Sequence, residues 1–71
     1  GLGTKQDYEK AFKYFLKSAG KECMVAQNNV GEMYRDGEGT KKSLPKAHKW
    51  FTKSADQGYK PAIKSLKSFK N

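Results

Sequence analysis

The length of this chain, 71 residues, allows one small domain with a thin hydrophobic core, because a chain this short buries only about 60% of the surface that its unfolded form exposes. No apolar run is long enough to span a bilayer, so we expect no membrane partner. The one cysteine, Cys23, excludes an internal disulfide and favours a reducing compartment such as the cytoplasm.

The first predicted helix spans residues 7–20. Asp7 is a suitable N-cap, because its carboxylate can accept hydrogen bonds from the free N–H groups of the first turn. At about 100° per residue, one face is predicted to be buried and consists of Ala11, Tyr14, Phe15, Ser18 and Ala19. The opposite face is predicted to be exposed and consists of Lys10, Lys13, Leu16 and Lys17.

The second predicted helix spans residues 23–36. Its apolar residues recur at the spacing of one helix face and are Ala26, Val30, Met33 and Tyr34. Gly37 and Gly39 follow, and glycine there can adopt the left-handed conformation that ends a helix.

The third and fourth predicted helices span residues 44–57 and 60–70. Ser43 is the expected N-cap of the third helix, and Pro45 fits its first turn because a missing N–H there costs no hydrogen bond. The face predicted to be buried consists of Ala47, Trp50, Phe51, Ser54 and Ala55. We expect Trp50 and Phe15 to be largely buried. The fourth helix continues the pattern with Ala62, Leu66 and Phe69, and no segment has the alternation of a strand.

The chain also repeats itself. When it is shifted by 36 residues, 12 of 35 aligned pairs are identical without a gap, which indicates a duplicated structural unit. The sequence therefore predicts an all-α fold with two antiparallel helix pairs, the first repeat at residues 1–36 and the second at residues 37–71.

The repeated residues resemble the Sel1-like repeat. The pattern consists of Ala26, Val30–Gly31, Tyr34, Gly37, Gly39, Lys46–Ala47, Trp50, Lys53–Ala55, Gly58 and Ala62. The resemblance implies an α-solenoid related to tetratricopeptide repeats, and a scaffold or adaptor that binds other proteins. It also implies a helix before Gly1, so we expect neighbouring repeats upstream.

Two positions depart from the repeat pattern. Lys67 stands where the first repeat has Gly31, so we expect the last helix to cap the array with a polar outer side. Glu22 stands where the second repeat has Gly58, so we expect the turn between the first two helices to differ.

No set of residues points to catalysis, a cofactor or a metal. His48 is the only histidine and Cys23 the only cysteine, whereas a structural zinc site needs four ligands. The Gly37–Gly39 segment lacks the strand and the Gly-Lys-Ser/Thr sequence of a phosphate-binding loop. We expect a protein that is not an enzyme.

The net charge of +8 is uneven: residues 1–36 carry +1, and residues 37–71 carry +7. A charge run of this kind is either a solvated coat or a surface for an acidic partner. We predict that a partner protein or peptide, possibly acidic, binds along the outer faces of the first helices, at Phe12, Lys13, Leu16, Lys17, His48, Lys49, Thr52 and Lys53. The alternative is a basic helical-repeat module that binds the phosphate backbone of RNA or DNA.

Overall fold

The computed structural model describes residues 4–69, which form four α-helices joined by short connections. The helices are α1 (Lys5–Ala19), α2 (Met24–Asp36), α3 (Leu44–Asp56) and α4 (Lys60–Ser68). No strand occurs within residues 4–69. The prediction of an all-α chain with four helices is confirmed. The last helix was predicted to reach residue 70, and this bound is wrong because α4 ends at Ser68 and Phe69 is its extended C-cap residue.

Helix α1 begins earlier than predicted, because its N-cap is Thr4 and not Asp7. The Thr4 Oγ1 accepts a hydrogen bond from the Asp7 N–H at 3.2 Å, which places Asp7 in the first turn. Its negative charge there interacts favourably with the helix dipole. Helix α3 begins as predicted, since the Ser43 Oγ accepts a hydrogen bond from the Lys46 N–H at 3.4 Å and Pro45 lies in the first turn.

The turns that precede α2 and α4 share one backbone feature. Gly58 has φ +86°, and Glu22, at the equivalent position of the first repeat, has φ +66°. The two turns differ in length, as expected, since residues 20–23 join α1 to α2 and residues 57–59 join α3 to α4. The residue at this position is nevertheless left-handed in both. Glutamate in this conformation brings its Cβ close to a carbonyl oxygen, at a cost of about 1–2 kcal/mol.

Gly37, with φ +72°, ends α2 as predicted.

Consecutive helices are antiparallel, and the beginning of α2 contacts the ends of two others. The Gln27 Nε2 donates a hydrogen bond to the Ala19 carbonyl oxygen at the end of α1, at 3.2 Å. The Ser54 Oγ, near the end of α3, donates to the Met24 carbonyl oxygen at 2.7 Å. Helix α2 therefore lies between α1 and α3, and α4 packs against α3.

The closest helix contact joins α2 and α3. Phe51 is 0% exposed, and a Cβ at Gly31 would lie 2.7 Å from its ring. The absence of a side chain at Gly31 therefore permits this close packing. Phe12 is the other buried phenylalanine. The rest of the core of residues 4–69 is built from small and medium apolar side chains, namely Ala19, Ala26, Val30, Met33, Ala47 and Ala62.

The aromatic residues of α1 and α3 are less buried than predicted. Tyr14 was expected inside but is 68% exposed, and Phe15 and Trp50 are only half-buried. Phe12 was expected outside but is 9% exposed, and it packs edge-on against Tyr34 with ring centroids 5.2 Å apart. The observed buried face of α1 is thus rotated toward Phe12 relative to the predicted one. The rotation is smaller than the ~100° that separates consecutive helix residues.

Candidate partner-binding surface

The eight predicted binding residues fall into three classes of exposure. Five are exposed, namely Lys13, Lys17, His48, Lys49 and Lys53. Leu16 and Thr52 are half-buried, and Leu16 packs against the core of the first helix pair. Phe12 is buried, so the prediction that it offers an exposed apolar contact is wrong. Its ring lies against α2, because the apolar face of α1 turns that way.

Three of these residues line one groove. It has a volume of about 470 Å³ and is bounded by Glu9, Phe12, Lys13, Leu16 and Gly39. Gly39 belongs to the loop between α2 and α3, which packs so closely on α1 that a Cβ there would meet the carbonyl group of Tyr8. The groove therefore has an apolar floor, one basic side chain and one acidic side chain at its edge.

The predicted residues of α3 do not line this groove and make contacts of their own. The Thr52 Oγ1 donates a hydrogen bond to the His48 carbonyl oxygen at 2.8 Å. The His48 ring lies 5.5 Å from the ring of Phe69, at the end of α4. The Lys53 ammonium lies 5.7 Å from the centre of the Trp50 ring, at cation–π distance.

We use the name lysine face for four lysines at equivalent positions of the two repeats, Lys13 and Lys17 on α1 with Lys49 and Lys53 on α3. All four are exposed. The ion pair found within residues 4–69 is between Arg35 and Asp36, at 3.1 Å, so none of these lysines is neutralised by a carboxylate of the described chain. The hydrogen bond between the side chains of Arg35 and Asp36 is the main cause of the raised pKa of Arg35, and burial of the guanidinium group acts in the opposite direction.

Sequence reasoning missed several polar residues at the α1–α2–α3 junction. The Gln57 Nε2 donates to the Gln27 Oε1 at 2.9 Å, and Gln27 is 2% exposed. Asn28 is buried too, and its Oδ1 has no hydrogen-bond partner among the described residues. In the sequence these residues appear only as the polar run Gln27–Asn29 between Ala26 and Val30. Because the predicted buried face of α2 was defined by apolar residues, polar residues were not assigned to it.

Glu9 and Gly39 were also missed as parts of the groove. Glu9 aligns with Pro45, so it lies at one of the positions where the two repeats differ. Gly39 was read only as a residue that ends a helix. Its contact with α1 depends on how the α2–α3 loop folds back, which the spacing of residues does not reveal.

Residues 4–69 contain no group of three or more His, Cys, Asp or Glu side chains that could hold a metal ion. Cys23 is exposed at the N-cap position of α2. Within the same range, each helix is too short or too polar to cross a membrane.

Comparison with known families gives one result. The model of the Sel1 repeat matches residues 1–21 and 25–59, which is most of the chain. The second match begins in α2 and ends just before α4, so it joins the second helix of one pair to the first helix of the next. No curated protein and no solved structure matches the chain.

Proposed function

This chain belongs to the Sel1 repeat family, whose repeats are generally non-enzymatic protein-interaction modules, and we propose that it binds an acidic protein segment along the lysine face and the adjoining groove of α1. The observation that carries this proposal is the position of Lys13. It is both a member of the lysine face and a wall of the groove, next to the partly exposed side chain of Leu16.

The groove and the lysines contribute differently to such a complex. Leu16 offers apolar surface, and burial of apolar surface supplies most of the binding free energy at an interface. The exposed lysines attract an acidic segment and speed its encounter with the surface. Each lysine alone contributes little, because an exposed ion pair is worth only about 0–1 kcal/mol.

The second candidate function is binding to the phosphate backbone of RNA or DNA, and the observation that favours it is the net charge of +8. Base stacking on aromatic side chains normally supports such binding. Phe12, the phenylalanine among the eight predicted binding residues, is buried and cannot stack on a base. Tyr14 is exposed but lies on a different side of α1 from Leu16, since the two positions are about 200° apart around the helix.

The test compares two charge reversals of equal size. An acidic and leucine-containing peptide of about 15 residues, labelled with a fluorophore, is titrated with the chain and followed by anisotropy. Lys13→Glu with Lys49→Glu should weaken binding about tenfold, because it reverses charges on the lysine face. Lys60→Glu with Lys64→Glu makes the same change on α4 and should weaken binding no more than about twofold.

Leu16→Ala adds a test of the groove. It should weaken peptide binding by more than Lys53→Ala does, with an unchanged circular dichroism spectrum, because it removes apolar contact at the groove. The proposal would be overturned if the two lysine pairs caused equal losses of affinity for the peptide. It would also be overturned if the variant with Lys13→Glu and Lys49→Glu bound the peptide as tightly as the parent chain. Tighter binding to mixed-sequence RNA in the same titration, with a steep salt dependence, would establish the second candidate instead.

A further inference from the structure

The proposed binding surface is divided between α1 and α3, and Tyr34 of α2 connects the two parts. The Phe12 ring lines the groove on α1 and packs edge-on against the Tyr34 ring, with ring centroids 5.2 Å apart. The ammonium of Lys46, on α3, lies 5.6 Å from the centre of the same Tyr34 ring. A continuous row of contacts therefore leads from the groove of α1 to α3.

The row of contacts continues along α3. Trp50 follows Lys46 by four residues and Lys53 follows Trp50 by three, so these side chains are neighbours on one side of the helix. The Lys53 ammonium lies 5.7 Å from the centre of the Trp50 ring. We use the name aromatic strip for the two rings, Tyr34 and Trp50, together with the two lysines at cation–π distance from them, Lys46 and Lys53.

The two rings of the aromatic strip are only partly buried, although both pack against the core of the first helix pair. Lys46 and Lys53 are exposed, and neither forms an ion pair within residues 4–69. A cation–π contact at an exposed site is weak, and a lysine side chain is flexible. An incoming apolar group can therefore reach either ring by displacing a lysine at little cost.

The aromatic strip lies away from the sides on which further repeats would stack. A helix placed before α1 in the way that α2 covers Phe51 would cover Phe15, which lies about 100° from Leu16 around α1. On the side of α3 that meets α4 the exposed ring is His48, about 200° from Trp50 around the helix. Neighbouring repeats would therefore leave the strip accessible.

We propose that the acidic segment crosses from the groove of α1 to α3 over the aromatic strip, an inference that rests on the proposed function. The carboxylates of the segment draw the Lys46 and Lys53 ammonium groups off the rings, and a large apolar side chain takes their place against Trp50. This contact adds apolar burial on α3 to that of Leu16 on α1. The partner is thus a segment in which acidic residues flank large apolar ones, and acidic residues alone do not suffice.

Trp50 itself reports this contact, because it is the only tryptophan of the chain. The acidic, leucine-containing peptide that tests the proposed function is added without its fluorophore, and the tryptophan emission is recorded. The emission should shift to shorter wavelength as binding saturates, since the ring loses contact with water. A peptide with serine in place of each leucine should bind more weakly and leave the emission wavelength nearly unchanged.

The two lysines of the aromatic strip are tested by neutralisation. Lys46→Gln with Lys53→Gln should weaken peptide binding about fivefold, because it removes both charges beside the rings. Lys60→Gln with Lys64→Gln makes the same change on α4 and should weaken binding no more than about twofold. Lys46→Arg with Lys53→Arg should weaken it less than the glutamine pair on α3 does, since arginine also stacks on rings and pairs with carboxylates.

The outcomes for the aromatic strip and for the proposed function can be told apart. A peptide that binds without shifting the Trp50 emission would overturn the role of the strip and leave the proposed function standing. Equal losses of affinity for the glutamine pairs on α3 and α4 would also overturn it. If the peptide does not bind at all, the proposed function fails, and the role of the strip fails with it.

Discussion

Helices α1 and α3 carry nearly the same residues at positions 36 apart, but the side chains they share are not buried to the same extent. Phe51 and Ser54 are 0% exposed on α3, whereas their counterparts Phe15 and Ser18 are half-buried on α1. The difference lies in the neighbours. Helix α3 packs against both α2 and α4, whereas the main packing partner of α1 among the described helices is α2. Equivalent side chains on the two helices can therefore be buried to different extents, because their burial depends on the helices that pack against them.

The largest difference between the two helices should appear when each phenylalanine is truncated. Phe51→Ala removes a fully buried ring and should lower the free energy of unfolding by about 3–5 kcal/mol. Phe15→Ala removes a half-exposed ring and should lower it by about 1–2 kcal/mol. Urea denaturation followed by circular dichroism gives both values. Phe51→Leu serves if Phe51→Ala does not fold, and equal costs at the two positions would contradict the comparison.

The close contact of α2 with α3 can be tested at Gly31. Gly31→Ala places a Cβ 2.7 Å from the Phe51 ring, so we expect a loss of about 1–3 kcal/mol in unfolding free energy from overpacking. Gly20→Ala is the matched control, since the nearest atom to a Cβ there is the Lys17 carbonyl oxygen at 3.4 Å. That control should be within about 0.5 kcal/mol of the parent chain. A harmless Gly31→Ala would show that the helices are not in such close contact.

The serine pair tests the polar part of the same interface. Ser54→Ala removes the hydroxyl that donates to the Met24 carbonyl oxygen, and should cost about 1–2 kcal/mol. Ser18→Ala makes the identical change on α1, where no side-chain hydrogen bond of this kind is found, and should change stability by no more than about 0.5 kcal/mol. The helix propensity gained from alanine is the same at both sites and cancels in the difference. The account predicts a larger loss of thermal stability for Ser54→Ala, and the reverse order would refute it.

The smallest effect concerns the two left-handed turn residues. Glu22→Gly should stabilise the chain by about 0.5–1 kcal/mol, because glycine adopts φ +66° without a Cβ contact. Gly58→Ala should destabilise it by a similar amount, although space at Gly58 is open, since φ is +86° there. Melting temperatures of the two single variants and the double variant measure both effects. A destabilising Glu22→Gly would mean that the first turn does not hold the left-handed conformation.

Much of the fold could be predicted from the sequence because the signals are local and duplicated. The 36-residue period, the Ser43 and Pro45 start signals, and the helix-ending Gly37 each act within a turn or two of the chain. The cap of α1 was misplaced because Thr4 and Asp7 are both good capping residues three positions apart, and propensity alone does not choose between them.

The binding surface was harder to predict because it depends on which face of α1 meets α2. The repeat pattern places Tyr14 and Phe15 inside, as it does Trp50 and Phe51, and so assigns Phe12 to the outside. In α3 that face is covered by α2, but α1 has no such cover among the described helices, and Phe12 turns inward against Tyr34. The lysines were assigned correctly as exposed because no packing arrangement favours burial of their charge. Whether they bind a partner stays a prediction.

The influence of the neighbouring helix can be measured as the loss of unfolding free energy caused by Phe15→Ala in a chain that carries a second copy of residues 21–36 directly before Gly1. Gly1 then takes the position that Gly37 holds after α2, and the added helix can cover α1 as α2 covers α3. We expect the loss of unfolding free energy from Phe15→Ala to rise to within about 1 kcal/mol of the loss from Phe51→Ala. A cost that stays at its original value, although circular dichroism shows the added residues to be helical, would contradict the claim that neighbours alone set the difference between α1 and α3.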